Sequence, residues 1–207
     1  MSDLEAGPDG SLRCGWATSA PEYLGYHDLE WGRPVADETA VFEKLCLEGF
    51  QSGLSWLTIL RKRDAFRHAF ASFDPETVAR FGEADVDRLL GDPGIVRHRG
   101  KITATIANAR ATLELREHGR TLAALLWSYE PAAREAPRSF FDLAASTPES
   151  KALSRELRGL GFSFVGPTTV YSTMQALGVV NDHLAACVVR HEVELLREGF
   201  SRPDRPA

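Results

Sequence analysis

The chain has 207 residues, of which 43% are hydrophobic and 26% charged, and its formal net charge is −5. A globular chain of this length buries about 70% of its unfolded surface and needs no disulfides for stability. The acidic balance argues against a protein that coats nucleic acid nonspecifically, although an acidic protein can carry a local basic surface.

The apolar and cysteine patterns indicate where the protein works. No apolar run approaches the about 18 residues of a membrane span, and the polar first residues do not read as a signal peptide. The chain has three cysteines, Cys14, Cys46 and Cys187, which lie far apart. We therefore expect a cytoplasmic protein without membrane contact and without a disulfide framework.

Apolar periodicity predicts helices along nearly the whole chain. Asp37, Ser55 and Asp74 are each placed to cap a helix. Pro75 favours a helix start, because the N–H group that proline lacks would have no partner inside the helix at its first position. Further helices are expected over residues 83–90, 100–118, 122–127, 146–160, 168–177 and 183–198. The proline-rich residues 128–146 are expected to have little regular structure. No β-hairpin signal stands out, and the predicted fold class is all-α, with short helices in two layers or lobes.

Two pairs of Cys and His residues raise the question of a metal site. His183 and Cys187 are four residues apart on a predicted helix, which places their Cβ atoms about 5–6 Å apart on one face. A structural zinc needs four ligands, and Cys14 and His27 would supply the missing pair. The alternative is that the cysteines are small buried hydrophobes and the histidines ordinary core or surface residues. Spacing alone does not bring the two chain ends together. Cys46 falls on the apolar side of its helix and is assigned to the core.

The segment CLEGFQSGLSW (46–56) contains a carboxylate in an unusual place. Glu48 falls at the end of an apolar helix, where a buried carboxylate is costly unless it is paired. Gly49 and Gly53 bracket a short loop, and Trp56 follows it. One interpretation is a helix end, a glycine turn and a core Trp. The other is a pocket in which aromatic rings stack on a flat ligand with hydrogen-bond donors, such as a nucleobase. Further walls could come from Trp16, Tyr23, Tyr26 and Trp31.

The segment LLGDPGIVRHRGKI (89–102) predicts a short helix, a glycine-containing hairpin and a longer helix. In a helix–hairpin–helix element, backbone N–H groups of the hairpin and of the second helix point at DNA phosphates. The candidate DNA contacts here are Gly94, Arg97, Arg99 and Lys101. The alternative interpretation of this basic cluster is a solvated surface.

Six segments in collinear order between residues 12 and 188 resemble the family of DNA-3-methyladenine glycosylases I, which are bacterial base-excision repair enzymes. They read RCGW (13–16), YHDLEWG (26–32), CLEGFQSGLSW (46–56), GIVRHRGKI (94–102), GFSFVG (161–166) and NDHLAAC (181–187). The resemblance implies an all-helical helix–hairpin–helix fold with a small second lobe that joins the chain ends around a structural zinc. We expect one domain over residues 13–190, a flexible extension over 1–12, and a helix end with a disordered tail over 191–207.

The resemblance also implies roles for individual residues. Its zinc ligands fall on Cys14, His27, His183 and Cys187. Its base-recognising carboxylate falls on Glu48, and its base-pocket aromatics fall on Trp16, Tyr23, Tyr26, Trp31 and Trp56. The turn that enters the DNA falls on Gln51, Ser52, Gly53 and Leu54, and Phe50 stands where some members have Gln.

The implied activity is to flip 3-methyladenine out of double-stranded DNA and to hydrolyse its N-glycosidic bond, which leaves an abasic site. The expected protein is a monomer with zinc as its structural cofactor. Many helix–hairpin–helix glycosylases use a catalytic Asp that this family lacks, and we interpret Asp182 as a helix cap rather than a substitute. A non-catalytic binder of alkylated DNA, or of a small purine, on the same fold is the alternative, because binding requires the same pocket.

Overall fold

Helices dominate the computed structural model, which describes residues 2–203. They are α1 (Pro21–Leu29), α2 (Glu38–Gln51), α3 (Trp56–Ala69), α4 (Pro75–Ala79), α5 (Glu83–Gly91), α6 (Arg99–Glu117), α7 (Leu122–Trp127), α8 (Pro148–Gly159), α9 (Pro167–Ala176) and α10 (Arg190–Glu198). The side chains of Asp37, Ser55, Asp74 and Thr147 accept backbone N–H groups of the first turns of α2, α3, α4 and α8. These caps satisfy N–H groups that have no partner inside the helix, and the predicted starts of these helices are confirmed.

The main hydrophobic core surrounds α2, which packs against α3, α6, α7 and α9. Its largest fully buried side chains include Phe42, Phe50, Phe66, Phe70 and Phe73. Neighbouring rings in this group lie between 4.7 and 6.3 Å apart at their centroids. Burial of a side chain of this size contributes about 1.5–3 kcal/mol. The core therefore holds α2, the helix that carries Glu48, from several sides.

A second, smaller hydrophobic cluster forms where the two ends of the chain meet. It contains Cys14, Leu184, Cys187, Val189 and Val193, and Leu4, Trp16 and Phe140 pack against it. Because the members of this cluster come from distant parts of the sequence, it holds the first and last segments of the domain against each other.

The predicted helical fold is confirmed for most of the described chain. The expectation of a flexible extension over residues 1–12 is wrong, because a small β-hairpin that was not predicted forms there. Strands β1 (Leu4–Ala6) and β2 (Leu12–Cys14) pair antiparallel, with Leu4 opposite Cys14. The connecting residues 7–11 form a turn in which Gly10 has φ +79° and Ser11 N donates to Asp9 Oδ1 at 3.0 Å. Three-residue strands are too short for a period-two pattern to show. The GPDG sequence is nevertheless a turn signal that could have identified the hairpin.

The last helix begins later than expected. Residues 183–189 form turns, and α10 starts at Arg190 rather than at His183. Asp182 therefore caps no helix, and the interpretation of this residue as a cap is wrong. Residues 191–203 fold onto the rest of the domain, because Val193 is fully buried and Arg202 Nη2 donates to Glu130 Oε1 at 2.8 Å. Of the expected disordered tail, residues 204–207 lie outside the described part of the chain.

Helix α1 is absent from the sequence-based prediction because it has no side-chain cap and only a weak apolar periodicity. The segment that follows α1, around Gly32, lies very close to the end of α9. A Cβ on Gly178, which has φ +72°, would lie 2.5 Å from Gly32 O. Only a glycine lets the end of α9 approach the chain so closely. Within residues 2–203, none of the helices combines the length and apolar character that a membrane crossing requires.

Candidate active site and metal centre

A cavity of about 280 Å³ opens between α1, α2, α3 and α9. Its walls combine aromatic rings with a few polar groups, from Trp16, Ser19, Tyr23, Tyr26, Trp31, Glu48, Gln51, Trp56, Ser172 and Gln175. All six of the aromatic and acidic residues predicted for a pocket thus line one cavity. Ser19, Ser172 and Gln175 were not predicted, because nothing in their local sequence separates them from ordinary surface residues.

Glu48 is the acidic group of this cavity. The residue is only 5% exposed, and its carboxylate accepts no hydrogen bond from any residue in 2–203. Burial raises the pKa of its carboxyl to about 7, and the positive charge of Lys44 acts in the opposite direction. A buried, unpaired carboxylate is costly to the fold. Its persistence in an open cavity is typical of a binding or catalytic group.

The aromatic residues form the walls of the cavity. Trp16 meets Tyr23 and Trp31 edge-to-face, at centroid distances of 5.5 and 5.2 Å. The rings of Tyr26 and Trp56 lie 5.4 Å apart, and the Tyr26 ring also lies 6.3 Å from that of Trp16. Trp56 Nε1 is buried and donates to no residue of the described chain. This arrangement suits a flat ligand that stacks between rings and brings its own hydrogen-bond partners.

Lys44 is a functional candidate that the sequence analysis missed. Its ammonium group donates to Tyr26 Oη at 3.3 Å and lies 4.6 Å from the ring centroid of Trp56. The nearby rings favour the cation, whereas burial lowers its pKa. Lys44 precedes Glu48 by one helical turn, and this i, i+4 spacing was the available signal. The Glu48 carboxylate is therefore influenced by the positive charge of Lys44.

We expect Glu48 to make the stability of the protein depend on pH. The folded state holds the Glu48 proton up to about pH 7, whereas an unfolded Glu releases it near pH 4.3. Stability is therefore lost as pH rises through this window, by up to about 4 kcal/mol. Glu48→Gln should raise the free energy of unfolding at pH 8 and change it little at pH 4. Urea denaturation at both pH values measures this.

The comparison variant for this prediction is Lys44→Met, which removes the charge that lowers the pKa of Glu48. It should widen the difference in unfolding free energy between pH 4 and pH 8. An identical pH dependence in wild type and Glu48→Gln would contradict the prediction.

The structure brings the four predicted metal ligands together. Cys14, His27, His183 and Cys187 are all buried, and their candidate ligand atoms lie within 4.8 Å of one another. Cys187 Sγ lies 3.5 Å from His27 Nε2 and 3.6 Å from His183 Nδ1. Cys14 Sγ lies 4.0 Å from His183 Nδ1. His183 and Cys187 lie on successive turns and not on a helix. The prediction that these two residues lie close together is confirmed, but the helical spacing on which it was based is wrong.

A second layer of contacts orients the histidines. His27 Nδ1 lies 2.7 Å from Asp28 Oδ1, and His183 Nε2 lies 3.1 Å from the carbonyl oxygen of Trp31. Each contact leaves the other ring nitrogen free to bind inside the cluster. Arg13 donates to both carboxylate oxygens of Asp28 and extends the layer. Carboxylates and carbonyls in this position are typical of histidines that bind metals.

The donor set fits a divalent metal. The hydrogen bond between the two thiols lowers the pKa of Cys187 and raises that of Cys14, so the pair favours one thiolate, at Cys187, beside the two imidazoles. A thiolate is the form that binds metal. Two sulfurs and two imidazole nitrogens are the composition that tetrahedral sites of this kind use. The four residues therefore form a site that could hold a metal ion.

The metal cluster and the cavity share the same chain segments. Trp16 follows Cys14 by two residues, and its ring centroid lies 5.1 Å from that of His27. Tyr26 directly precedes His27. Trp31 directs its ring to the cavity and its carbonyl to His183, whose ring lies 4.6 Å away. Any group that holds the cluster together thus also positions three walls of the cavity.

The turn after α2 differs from the sequence prediction at its first residue. Phe50 is 1% exposed and packs on Phe66 and Phe70, so it belongs to the core and not to a DNA-facing turn. Beyond α2 the chain turns at Gly53, with φ +79°, and presents Leu54 with 43% of its surface exposed. The insertion of this turn into DNA stays a prediction.

The predicted DNA contacts of the hairpin need two corrections. Lys101 is 7% exposed, and its ammonium group donates to Phe50 O at 2.8 Å and to Ser52 O at 2.6 Å. It fixes the turn after α2 and faces no solvent-exposed phosphate. Gly94 N donates to Asp92 Oδ1 at 2.7 Å, so this N–H is not free for a phosphate either.

The two arginines of the hairpin behave differently from each other. Arg99 pairs with Glu83 and Asp87, at 2.9 Å in each case. Arg97 is exposed and forms no ion pair within the described chain 2–203. Arg97 is therefore the predicted contact that is best placed to meet a phosphate.

Comparisons with known proteins identify the family of this chain. A family model described as methyladenine glycosylase matches residues 16–191. The chain is 48% identical over 178 residues to DNA-3-methyladenine glycosylase 1 of Escherichia coli, which covers 84% of this chain and 95% of that protein. A crystal structure of a 3-methyladenine DNA glycosylase I superposes with a TM-score of 0.82 at 47% identity, covering 85% of this chain and 98% of the other.

A third similar protein is the 3-methyladenine DNA glycosylase I of Staphylococcus aureus, whose structure was solved to explain 3-methyladenine recognition. It is 38% identical, superposes with a TM-score of 0.81, and covers 86% of this chain and 96% of its own. The family-model match and the three matched proteins each cover most of the chain. The chain therefore belongs to the methyladenine glycosylase family.

Proposed function

We propose that this protein is a DNA-3-methyladenine glycosylase, which hydrolyses the N-glycosidic bond of the damaged nucleotide and leaves an abasic site. The observation that carries the proposal is the buried carboxylate of Glu48, which lines an aromatic cavity and accepts no hydrogen bond from residues 2–203. The reaction is inferred from the family, since the chain covers 95% of its E. coli relative. The substrate is double-stranded DNA that contains the methylated base.

The chemistry of the damaged base limits what the protein must supply. Methylation at N3 makes the base positively charged while it is bonded to the sugar, so it leaves as a neutral molecule. We propose a dissociative cleavage through an oxocarbenium-like sugar, followed by attack of water at C1′. Extrusion of the base costs a few kcal/mol, less for a damaged base. Stacking on Trp56 and the other rings returns about 1–3 kcal/mol.

Glu48 contributes selectivity through charge. Because its pKa is raised to about 7, a large fraction is protonated in the free protein near neutral pH. A cationic base within contact distance favours the ionised carboxylate, which then accepts hydrogen bonds from the base. A neutral, undamaged purine gains no such interaction. The pocket therefore selects for the damaged base, whose own charge has already weakened the bond.

For the metal centre we propose structural zinc bound by Cys14, His27, His183 and Cys187. The buried sulfur and imidazole donors and the contacts to Asp28 and the Trp31 carbonyl support it. Bound zinc would hold the chain ends together and take no part in the reaction, because all four of its positions are filled by protein. We also propose one domain with two lobes, corresponding to the two hydrophobic clusters, in a monomeric cytoplasmic protein.

The decisive experiment incubates the purified protein with methylated duplex DNA and quantifies both released bases and abasic sites. Release of 3-methyladenine with one abasic site per base supports the proposal. Binding to methylated DNA without abasic sites would identify the protein as a non-catalytic reader of alkylated DNA. Binding of free 3-methyladenine without affinity for DNA would identify a purine-binding protein on this fold.

The hairpin should contribute to DNA binding through Arg97 rather than Lys101. The logarithm of DNA affinity falls linearly with the logarithm of salt concentration, and each phosphate contact adds about 0.9 to the slope. Arg97→Gln should reduce the magnitude of this slope by about 1. Arg99→Gln should change it less, because Glu83 and Asp87 already neutralise this side chain. Fluorescence anisotropy with an unmodified duplex at several salt concentrations measures the slope.

Lys101→Met is the matched control in this series. Its ammonium group is bound to the carbonyls of Phe50 and Ser52, so its removal should lower thermal stability and leave the salt slope unchanged. A slope that responds to Lys101→Met and not to Arg97→Gln would contradict this assignment of the hairpin residues.

A further inference from the structure

Asp182 lies at the centre of a buried hydrogen-bond network behind the cavity. Its side chain is 0% exposed, and its carboxylate accepts hydrogen bonds from Tyr171 Oη at 2.6 Å, from Gln175 Nε2 at 2.8 Å and from Arg134 Nη2. A carboxylate paired with a guanidinium group acts only as an acceptor. Asp182 is not among the residues that line the cavity, and its carboxylate already accepts three hydrogen bonds, so it is not placed to serve as a base or nucleophile.

The acceptor character of Asp182 determines the orientation of the Gln175 amide. An amide has one donor end and one acceptor end, and the hydrogen-bond network decides which end points where. Because Asp182 only accepts, Gln175 must turn its NH₂ group toward it. The amide oxygen, Oε1, is then directed away from Asp182, and it accepts no hydrogen bond from residues 2–203.

Gln175 also lines the cavity that contains Glu48 and Trp56. The unpartnered acceptors of the cavity wall thus include the Glu48 carboxylate on α2 and Gln175 Oε1 on α9, and Gln175 is the amide of this wall whose orientation a buried carboxylate fixes. An exocyclic amino group carries two N–H donors. Glu48 and Gln175 together can therefore accept both donors of one such group.

We propose that Gln175 Oε1 is a second base-reading acceptor, which selects a 6-amino purine over a 6-oxo purine, and that Asp182 is the positioning residue that orients it. This inference rests on the proposed glycosylase function. A 6-amino base such as 3-methyladenine donates to both Glu48 and Gln175. A 6-oxo base such as 3-methylguanine places a carbonyl oxygen against them and leaves the acceptors unpaired, which a buried site discriminates against strongly.

The test measures the ratio of two products from one substrate. Duplex DNA treated with dimethyl sulfate contains both 3-methyladenine and 3-methylguanine, and chromatography quantifies the initial release of each. Gln175→Met keeps the length of the side chain and removes the acceptor. We expect the ratio of 3-methyladenine to 3-methylguanine released to fall at least about tenfold, a modest part of what hydrogen-bonding sites achieve.

Asp182→Asn tests the positioning role. An Asn amide can donate to Gln175, which allows the Gln175 amide to turn and present its NH₂ group to the base. The ratio should then fall as well, with a gain in release of the 6-oxo base that a purely structural loss would not produce. Tyr171→Phe is the control, because it removes one donor to Asp182 and leaves the contact with Gln175 intact. Its ratio should stay within about twofold of wild type.

Each result either supports or overturns the proposal. An unchanged ratio in Gln175→Met, with folding and DNA affinity retained, overturns it. If Asp182→Asn does not fold, the comparison of Gln175→Met with Tyr171→Phe still decides. A wild-type protein that releases no methylated base contradicts the glycosylase function itself, and that outcome is visible before any variant is made.

Discussion

Glu48→Gln is expected to reduce the release of 3-methyladenine from methylated duplex DNA by about 10²–10³-fold, the usual effect of removing one pre-organised electrostatic contact from an active site. Gln has the shape of Glu and still offers one acceptor, so the change removes the negative charge and little else. The charge matters because the base is cationic when its bond breaks, and because the described part of the chain offers Glu48 no competing partner. Single-turnover release of the free base measures the effect.

Three controls separate this effect from damage to the fold. Glu48→Gln should retain metal content and affinity for undamaged duplex DNA, and it should be more stable than wild type at pH 8. Glu48→Asp keeps the charge on a side chain one methylene shorter and should retain more activity than the Gln variant. Release at the wild-type rate by a folded Glu48→Gln protein would remove Glu48 from the mechanism.

Cys187→Ala is expected to have the largest effect on stability. The wild-type protein should contain one zinc per chain, and the variant should lose it together with at least about 4 kcal/mol of unfolding free energy, a loss characteristic of a missing metal. The effect is large because the site joins segments that are distant in the sequence and lie in a small cluster of their own. Elemental analysis and urea denaturation measure the two quantities.

The third cysteine provides the matched control. Cys46 is buried in the main core, away from the four clustered ligands. Cys46→Ala should keep a full complement of zinc and lose only about 1 kcal/mol, as for an ordinary small cavity. A wild-type protein that is stable without metal, or a Cys187→Ala variant that retains it, would contradict the proposed zinc site.

Loss of the metal should also change the positions of the cavity walls. Trp16 and Trp31 contact the rings of His27 and His183, so their positions depend on the cluster. We therefore expect tryptophan fluorescence to change when a chelator removes the metal, even under conditions in which the main core stays folded.

Local signals in the sequence were sufficient where the structure depends on neighbours along the chain. The caps at Asp37, Ser55 and Asp74 form as predicted, since a capping side chain and the N–H group it accepts are only three residues apart. The identities of the candidate ligands and pocket aromatics also came from short motifs. The hairpin at 4–14 was missed, because its strands are too short to show a pattern of their own.

Tertiary packing decided the rest. Lys101 looks like a phosphate contact in the sequence, yet it donates to the carbonyls of Phe50 and Ser52, about fifty positions away along the chain. Asp182 looks like a cap, yet its partners come from α9 and from the segment that carries Arg134. Hydrophobic periodicity and capping chemistry act over one or two turns, so the sequence by itself determined the helices and the residue types of the site. Which donor meets which acceptor across the cavity depends on how the helices pack, and only the folded structure decides it.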